Sequence, residues 1–99
     1  MKKLIAFAAA ALLSSVVVAD GEATFNKTCV MCHAVGVSAA MGAPEVHSAE
    51  AWAPRLAAAG SIDGLVASAT AGKGAMPPKG MCMDCSSADL KAAIEFMSK

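Results

Sequence analysis

Two cysteines, separated by two residues and followed at once by a histidine, stand at Cys29-Val30-Met31-Cys32-His33. Each thiol of such a pair can add across a vinyl group to form a thioether, and the adjacent histidine is placed to bind the metal of the attached macrocycle. That contiguity specifies covalent attachment of one c-type haem through Cys29 and Cys32, with the His33 imidazole as an axial ligand of its iron. Zinc sites and redox dithiols also use C-x-x-C, yet neither chemistry needs a histidine at the next position.

Haem iron ligated by His33 has a sixth position to fill, and six of the seven methionines lie beyond Ala19. Met76 is the candidate. It sits in Lys73-Gly74-Ala75-Met76-Pro77-Pro78-Lys79-Gly80, where two prolines with fixed φ and no N–H make a stiff strap that cannot be drawn into a helix. Met81 and Met83 are the alternatives. A second pair, Cys82-Met83-Asp84-Cys85, has no histidine after it, so a second haem is not indicated. In an exported chain these two cysteines are expected to pair with each other. So short a loop contributes about 2 kcal/mol in the chain-entropy model. The rival is a zinc site using both pairs, but the 49 residues between Cys32 and Cys82 exceed the ~15–20 of common zinc modules.

The expectation of export comes from the N-terminus. Lys2 and Lys3 precede an apolar and small-residue run over 4–18, broken only by Ser14 and Ser15, and Val17-Val18-Ala19 offers the small residues a signal peptidase reads. Residues 1–19 are expected to be a secretory signal peptide cut after Ala19, leaving one small domain over 20–99 in the periplasm. The run is shorter than the ~20 residues that span a bilayer, so no stable membrane anchor is expected. Losing Lys2 and Lys3 takes the formal net charge from zero to minus two, which argues against nucleic acid and anionic membrane as partners. Phe25, Trp52 and Phe96 are then the only aromatics. A domain of this size with so few large apolar side chains is short of core, and a buried haem supplies the missing apolar surface.

The elements that must position these groups read as all-α, four short helices with long loops. Phe25, Cys29 and Cys32 recur at i, i+4 and i+7 within a helix over 21–33. Residues 36–44, rich in Gly, Ala and Ser, read as a loop. A helix over 52–59 ends at Gly60, with Pro54 in its first turn or kinking it. Ser61 can cap a third helix with Ile62, Leu65, Val66 and Ala69 on one face, stopped by Gly72 and Gly74. Ser86 and Asp89 resemble a capping box opening the last helix, with its stripe of Leu90, Ala93, Ile94 and Met97. No alternating run reads as a strand.

These segments resemble the class I bacterial cytochromes c, specifically the cytochrome c5 family, over essentially all of 20–99. The resemblance is carried by Gly21-Glu22-Ala23-Thr24-Phe25 with the haem motif, then Gly42-Ala43-Pro44, Ala51-Trp52-Ala53-Pro54-Arg55, the Met76-Pro77-Pro78-Lys79-Gly80 strap with its late C-x-x-C, and Asp89 to Glu95. It implies a small class I cytochrome c fold wrapped round one covalent haem c. It implies that the Pro44 carbonyl accepts a hydrogen bond from His33, that Trp52 and Arg55 lie near a haem propionate, and that Gly21 and Phe25 pack against Phe96. The chain departs from the family's pattern at Glu45 and His47.

The function expected is soluble periplasmic electron transport, one electron at a time, through a haem with His33/Met76 ligation. Such ligation leaves no open position for substrate, so no enzymatic activity is expected. Partners are expected to be redox proteins, such as a membrane oxidase or reductase or other cytochromes, met through a transient interface. The alternatives are a zinc-binding interaction module and a periplasmic dithiol oxidoreductase using the two C-x-x-C pairs.

Overall fold

The computed structural model describes residues 20–99; the expected signal peptide at 1–19 lies outside the described residues. The expected N-terminal helix over 21–33 forms as three helical stretches in succession. Asp20 caps the first by accepting from the Ala23 N–H at 3.1 Å, opening α1 (Gly21–Thr24). A π-helical turn (Phe25–Cys29) follows, and then α2 (Val30–His33). In the π-turn the Val30 N–H bonds back to the Phe25 carbonyl, one residue further than in an α-helix. A wider turn has no residue signature, so the 3.6 period does not reveal it.

Within the expected loop over 36–44 a single helical turn forms, α3 (Ser38–Met41), ended by Gly42 at φ 69°. Two alanines and a methionine are good helix formers, which accounts for it. α4 (Ala49–Ala59) begins three residues before Trp52, because the Ser48 hydroxyl accepts from the Ala51 N–H. Pro54 therefore falls in the second turn rather than the first, where it removes the donor that would serve the Glu50 carbonyl. Gly60, at φ 88°, returns its N–H to the Leu56 carbonyl and stops the helix. α5 (Ile62–Ala71) is capped by Ser61 as expected. Its Gly64 lies against the end of α4, where a Cβ would stand 2.2 Å from the Ala59 carbonyl oxygen.

A strap over 72–85 then crosses back, holding the one 3-10 turn (Pro78–Met81) among the described residues. α6 (Ser87–Met97) starts at the Ser86/Asp89 capping box, with both reciprocal bonds made, at 3.1 and 3.0 Å. Among the described residues there is no strand, only an isolated antiparallel bridge between Lys73 and Met76.

α6 is the central element. α1 crosses it at one end and α5 packs along it. The crossing of α1 requires Gly21, since a Cβ there would stand 2.2 Å from the Ala92 carbonyl oxygen. Next to that contact the Phe25 and Phe96 rings pack 5.5 Å apart, as the family resemblance implies. The expected stripe of Leu90, Ala93, Ile94 and Met97 is buried. The core is nevertheless thin: among the described residues its buried aromatic side chains are those of Phe25 and Trp52, with His33 beside Trp52.

His47 adopts φ 66°, unusual for a non-glycine residue. Its N–H donates to the Met97 carbonyl and its ring meets Phe96 edge-on at 4.8 Å. The loop before α4 is thereby pinned to the end of α6.

Two outcomes are expected. Gly21→Ala should destabilise the protein by about 1–3 kcal/mol, since the clash is with backbone rather than a movable side chain; a denaturant titration reads this directly. A Cys29→Ala/Cys32→Ala variant made without haem should show little helix by circular dichroism, because so thin a core does not offset the chain entropy. A cooperative native-like melt of that variant would contradict it.

Candidate haem site

One cavity of about 830 Å³ lies between α2, α4, α5, α6 and the strap, within the ~300–1,000 Å³ range of cofactor sites. All seven residues read from the sequence as contacting a haem line it: Cys29, Cys32, His33, Pro44, Trp52, Arg55 and Met76. They come from four separate stretches of chain, 29–33, 44, 52–55 and 76. Leu65, Ala69, Ile94 and Met97, read only as helix stripes, also face it.

His33 is 7 % exposed, and its Nδ1 lies 2.8 Å from the Pro44 carbonyl oxygen. A carbonyl can only accept, so Nδ1 carries the proton and Nε2 keeps its lone pair. Among the described residues no protein group hydrogen-bonds Nε2. An imidazole held in one tautomer with its other nitrogen free is what an axial metal ligand requires. The backbone fixes the same residue, because the Val46 N–H donates to the His33 carbonyl at 2.8 Å.

Cys29 and Cys32 are free thiols, the first buried and the second half-buried. Burial pushes the Cys29 thiol above its ordinary value, so this site favours a neutral sulfur such as a thiol or thioether. Two free thiols, a histidine with an unprotonated nitrogen and an apolar lining fit a covalent haem. The zinc alternative is not favoured. Cys82 and Cys85 are joined in a disulfide with Cα atoms 5.4 Å apart, and the metal-like grouping found among the described residues, Cys82, Asp84 and Cys85, contains that bonded pair.

Met76 is half-buried in the strap. Its N–H and carbonyl exchange hydrogen bonds with Lys73 at 2.9 and 3.0 Å, closing a tight turn over Gly74 and Ala75. The turn lies on Gly72, where a Cβ would come within 3.0 Å of the Met76 oxygen and the Pro78 nitrogen. Gly72, at φ 89°, meets both that close approach and the left-handed backbone. The other end of the strap is tied down by Lys79, whose ammonium donates to the Cys85 carbonyl at 3.3 Å. An exposed Lys27–Asp84 ion pair at 2.9 Å joins the disulfide loop to the π-turn. Met81 also lines the cavity but is 67 % exposed; Met83, 69 % exposed, does not line it.

Trp52 and Arg55 both line the cavity, one turn apart on α4, with polar contacts the sequence did not reveal. The Trp52 indole N–H donates to the Glu45 carbonyl at 2.8 Å. Arg55 donates to the Ala51 carbonyl at 2.9 Å and the Gly42 carbonyl at 3.4 Å, bridging α4 to the turn after α3. Glu45 contributes through its backbone, so no side-chain signal could have exposed its part. His47 packs on Phe96 and is not among the cavity-lining residues.

The family model described as cytochrome c oxidase, cbb3-type, subunit III, matches residues 16–97. Cytochrome c5 of Azotobacter vinelandii is 46 % identical over 80 % of this chain and 92 % of its own length. Cytochrome c-555 of Chlorobaculum thiosulfatiphilum is 37 % identical over 80 % of this chain and 91 % of its own. Among solved structures, a mono-haem ferrocytochrome c from Shewanella putrefaciens is 51 % identical and covers 85 % of this chain and 98 % of its own, with a TM-score of 0.67. A cytochrome c chain in an electron-transfer complex with nitrite reductase gives 42 % identity, coverage of 79 % and 89 %, and a TM-score of 0.66. With these relationships added to the fold and the cavity, the chain belongs to the class I cytochromes c, in the cytochrome c5 family, and is an electron carrier built on one covalently bound haem c.

Proposed function

We propose that the chain is exported, loses residues 1–19 by cleavage after Ala19, and works over 20–99 as a soluble periplasmic carrier with no catalytic activity of its own. In this reading Cys29 and Cys32 form the thioethers, and His33 and Met76 are the two axial ligands. The observation that carries it is the meeting of these four side chains on one cavity. When bound, the haem supplies a ferric–ferrous couple that takes up or releases one electron.

The residues around it set the terms of that exchange. The Pro44 carbonyl keeps the proton on Nδ1 of His33 and raises the basicity of Nε2. The Met76 thioether is soft and neutral, which disfavours the higher charge and raises the potential. Arg55 has N–H groups beyond the two it uses, and these suit a propionate carboxylate at the cavity mouth. Two protein ligands leave no position for a substrate, which supports a carrier rather than an enzyme. No helix among the described residues is long and apolar enough to cross a membrane.

The partners we propose are periplasm-facing redox proteins, a membrane oxidase or reductase or another cytochrome; a similar cytochrome c chain occurs in an electron-transfer complex with nitrite reductase, which supports a redox protein as partner. Met31, Met41 and Met81, 72 %, 45 % and 67 % exposed, stand among the residues lining the cavity. Among the described residues, Arg55 and Lys73 are the only charged ones that join them, histidine aside. Flexible thioether side chains suit contact with more than one partner. Electron-transfer rates with a natural partner should therefore fall less than about tenfold on adding salt, unlike those of charge-steered encounters. Stopped-flow measurements across ionic strength check this, and a steep fall would contradict it.

Met76→Ala should keep the haem covalently bound while losing the weak far-red sulfur-to-iron band, lowering the potential and opening the iron to carbon monoxide or cyanide. Met81→Ala and Met83→Ala should retain the band. Loss of the band in one of these two and not in Met76→Ala would place the ligand beside the disulfide.

A further inference from the structure

We infer that Trp52 is a positioning residue for His33, setting the plane of the imidazole, and that its indole N–H serves this role rather than a haem propionate. The inference rests on the reading of His33 as an axial ligand and adds what holds that ligand in one orientation.

A hydrogen bond from Nδ1 to the Pro44 carbonyl fixes one atom of the His33 ring but leaves the ring able to rock about that contact. The face of Trp52 removes this freedom. The two rings are stacked, with centroids 5.7 Å apart and planes 22° apart. Both residues are buried, at 6 % and 7 % exposed, so the contact is not loosened by water. The indole is itself held, since its one donor is used on the Glu45 carbonyl at 2.8 Å.

The two acceptors are consecutive carbonyls, Pro44 for the imidazole and Glu45 for the indole. The next residue, Val46, donates its N–H to the His33 carbonyl. Three successive residues thus hold the histidine by its ring, by its backbone and through the indole stacked on it. Pro44 contributes a fixed φ to this segment. α4 brings Trp52 to it, because the Ser48 carbonyl accepts from the Trp52 N–H at 3.1 Å at the start of that helix.

Groups that orient a ligating histidine tune the metal without touching it. In low-spin ferric haem the plane of the axial imidazole governs how unpaired spin spreads over the macrocycle, so the pattern of hyperfine-shifted haem methyl resonances reports that plane. The test compares this pattern and the reduction potential in ferric holoprotein of the parent, Trp52→Phe and Trp52→Leu. Leu90→Ala serves as a control: Leu90 is buried in α6 and is not among the cavity-lining residues.

Trp52→Leu should rearrange the order or spread of the methyl resonances and shift the potential. Trp52→Phe retains an aromatic face without the N–H anchor and should give a smaller change in the same direction; it also keeps the test open if Trp52→Leu does not fold. Leu90→Ala should lower the melting temperature and leave the pattern unchanged. The inference is overturned if the Trp52 variants keep the parent pattern, or if Leu90→Ala disturbs it as much as they do. His33→Ala separates the two readings. If it keeps the parent's low-spin spectrum, His33 is not the ligand and the inference falls with that assignment. If it loses the spectrum while the Trp52 variants match the parent, the ligand stands and only the role given to Trp52 fails.

Discussion

The described domain has few large apolar side chains, and its helices pack around a cavity as much as against one another. α6 shows the constraint. One part of its surface meets α1 at Gly21 and the π-turn at Phe25, while Ile94 and Met97 line the cavity. Two of the four residues of the hydrophobic stripe therefore also face the cavity, while Leu90 and Ala93 pack within the protein. A covalently bound haem in this cavity acts as core and cofactor at once, so folding and function depend on the same contacts. Small domains often need such a staple, and the Cys82–Cys85 disulfide adds a second, local one.

Around that centre, short backbone segments rather than long helices fix the ligand candidates. Residues 44–46 hold His33 and Trp52 through carbonyls and an N–H. Residues 72–80 hold Met76 through a closed turn on Gly72, and Lys79 secures the far end of the strap. An electron carrier benefits from this rigidity, because ligands that do not move between oxidation states add no reorganisation to each transfer. The exposed methionines among the cavity-lining residues are the flexible counterpart, and in the proposed reading they are the surface that meets partners.

Much of this was legible in the residues themselves. The Ser61 cap and the Ser86/Asp89 box each depend on side chains within a few positions of one another, and each forms as read. The strap, read as non-helical, instead holds a 3-10 turn over Pro78–Met81, because Pro78 opens such a turn without needing an N–H. Less visible were features with no local signature. The π-turn at Phe25–Cys29 has the composition of an ordinary helix. The start of α4 moved because Ser48, rather than a residue nearer Trp52, supplies the cap.

By itself the sequence determined the covalent chemistry, since thioether attachment and the adjacent histidine require only neighbours along the chain. Packing decided what the long-range partners do. Trp52 turns its N–H to the Glu45 carbonyl and its face to His33, and His47 turns away from the cavity onto Phe96. Both outcomes depend on backbone carbonyls and ring faces brought together from distant segments. A carbonyl is present at every position whatever the side chain, so the sequence carries no mark of which ones are used. Only the folded arrangement of α4, α6 and the segment before Ser48 selects them.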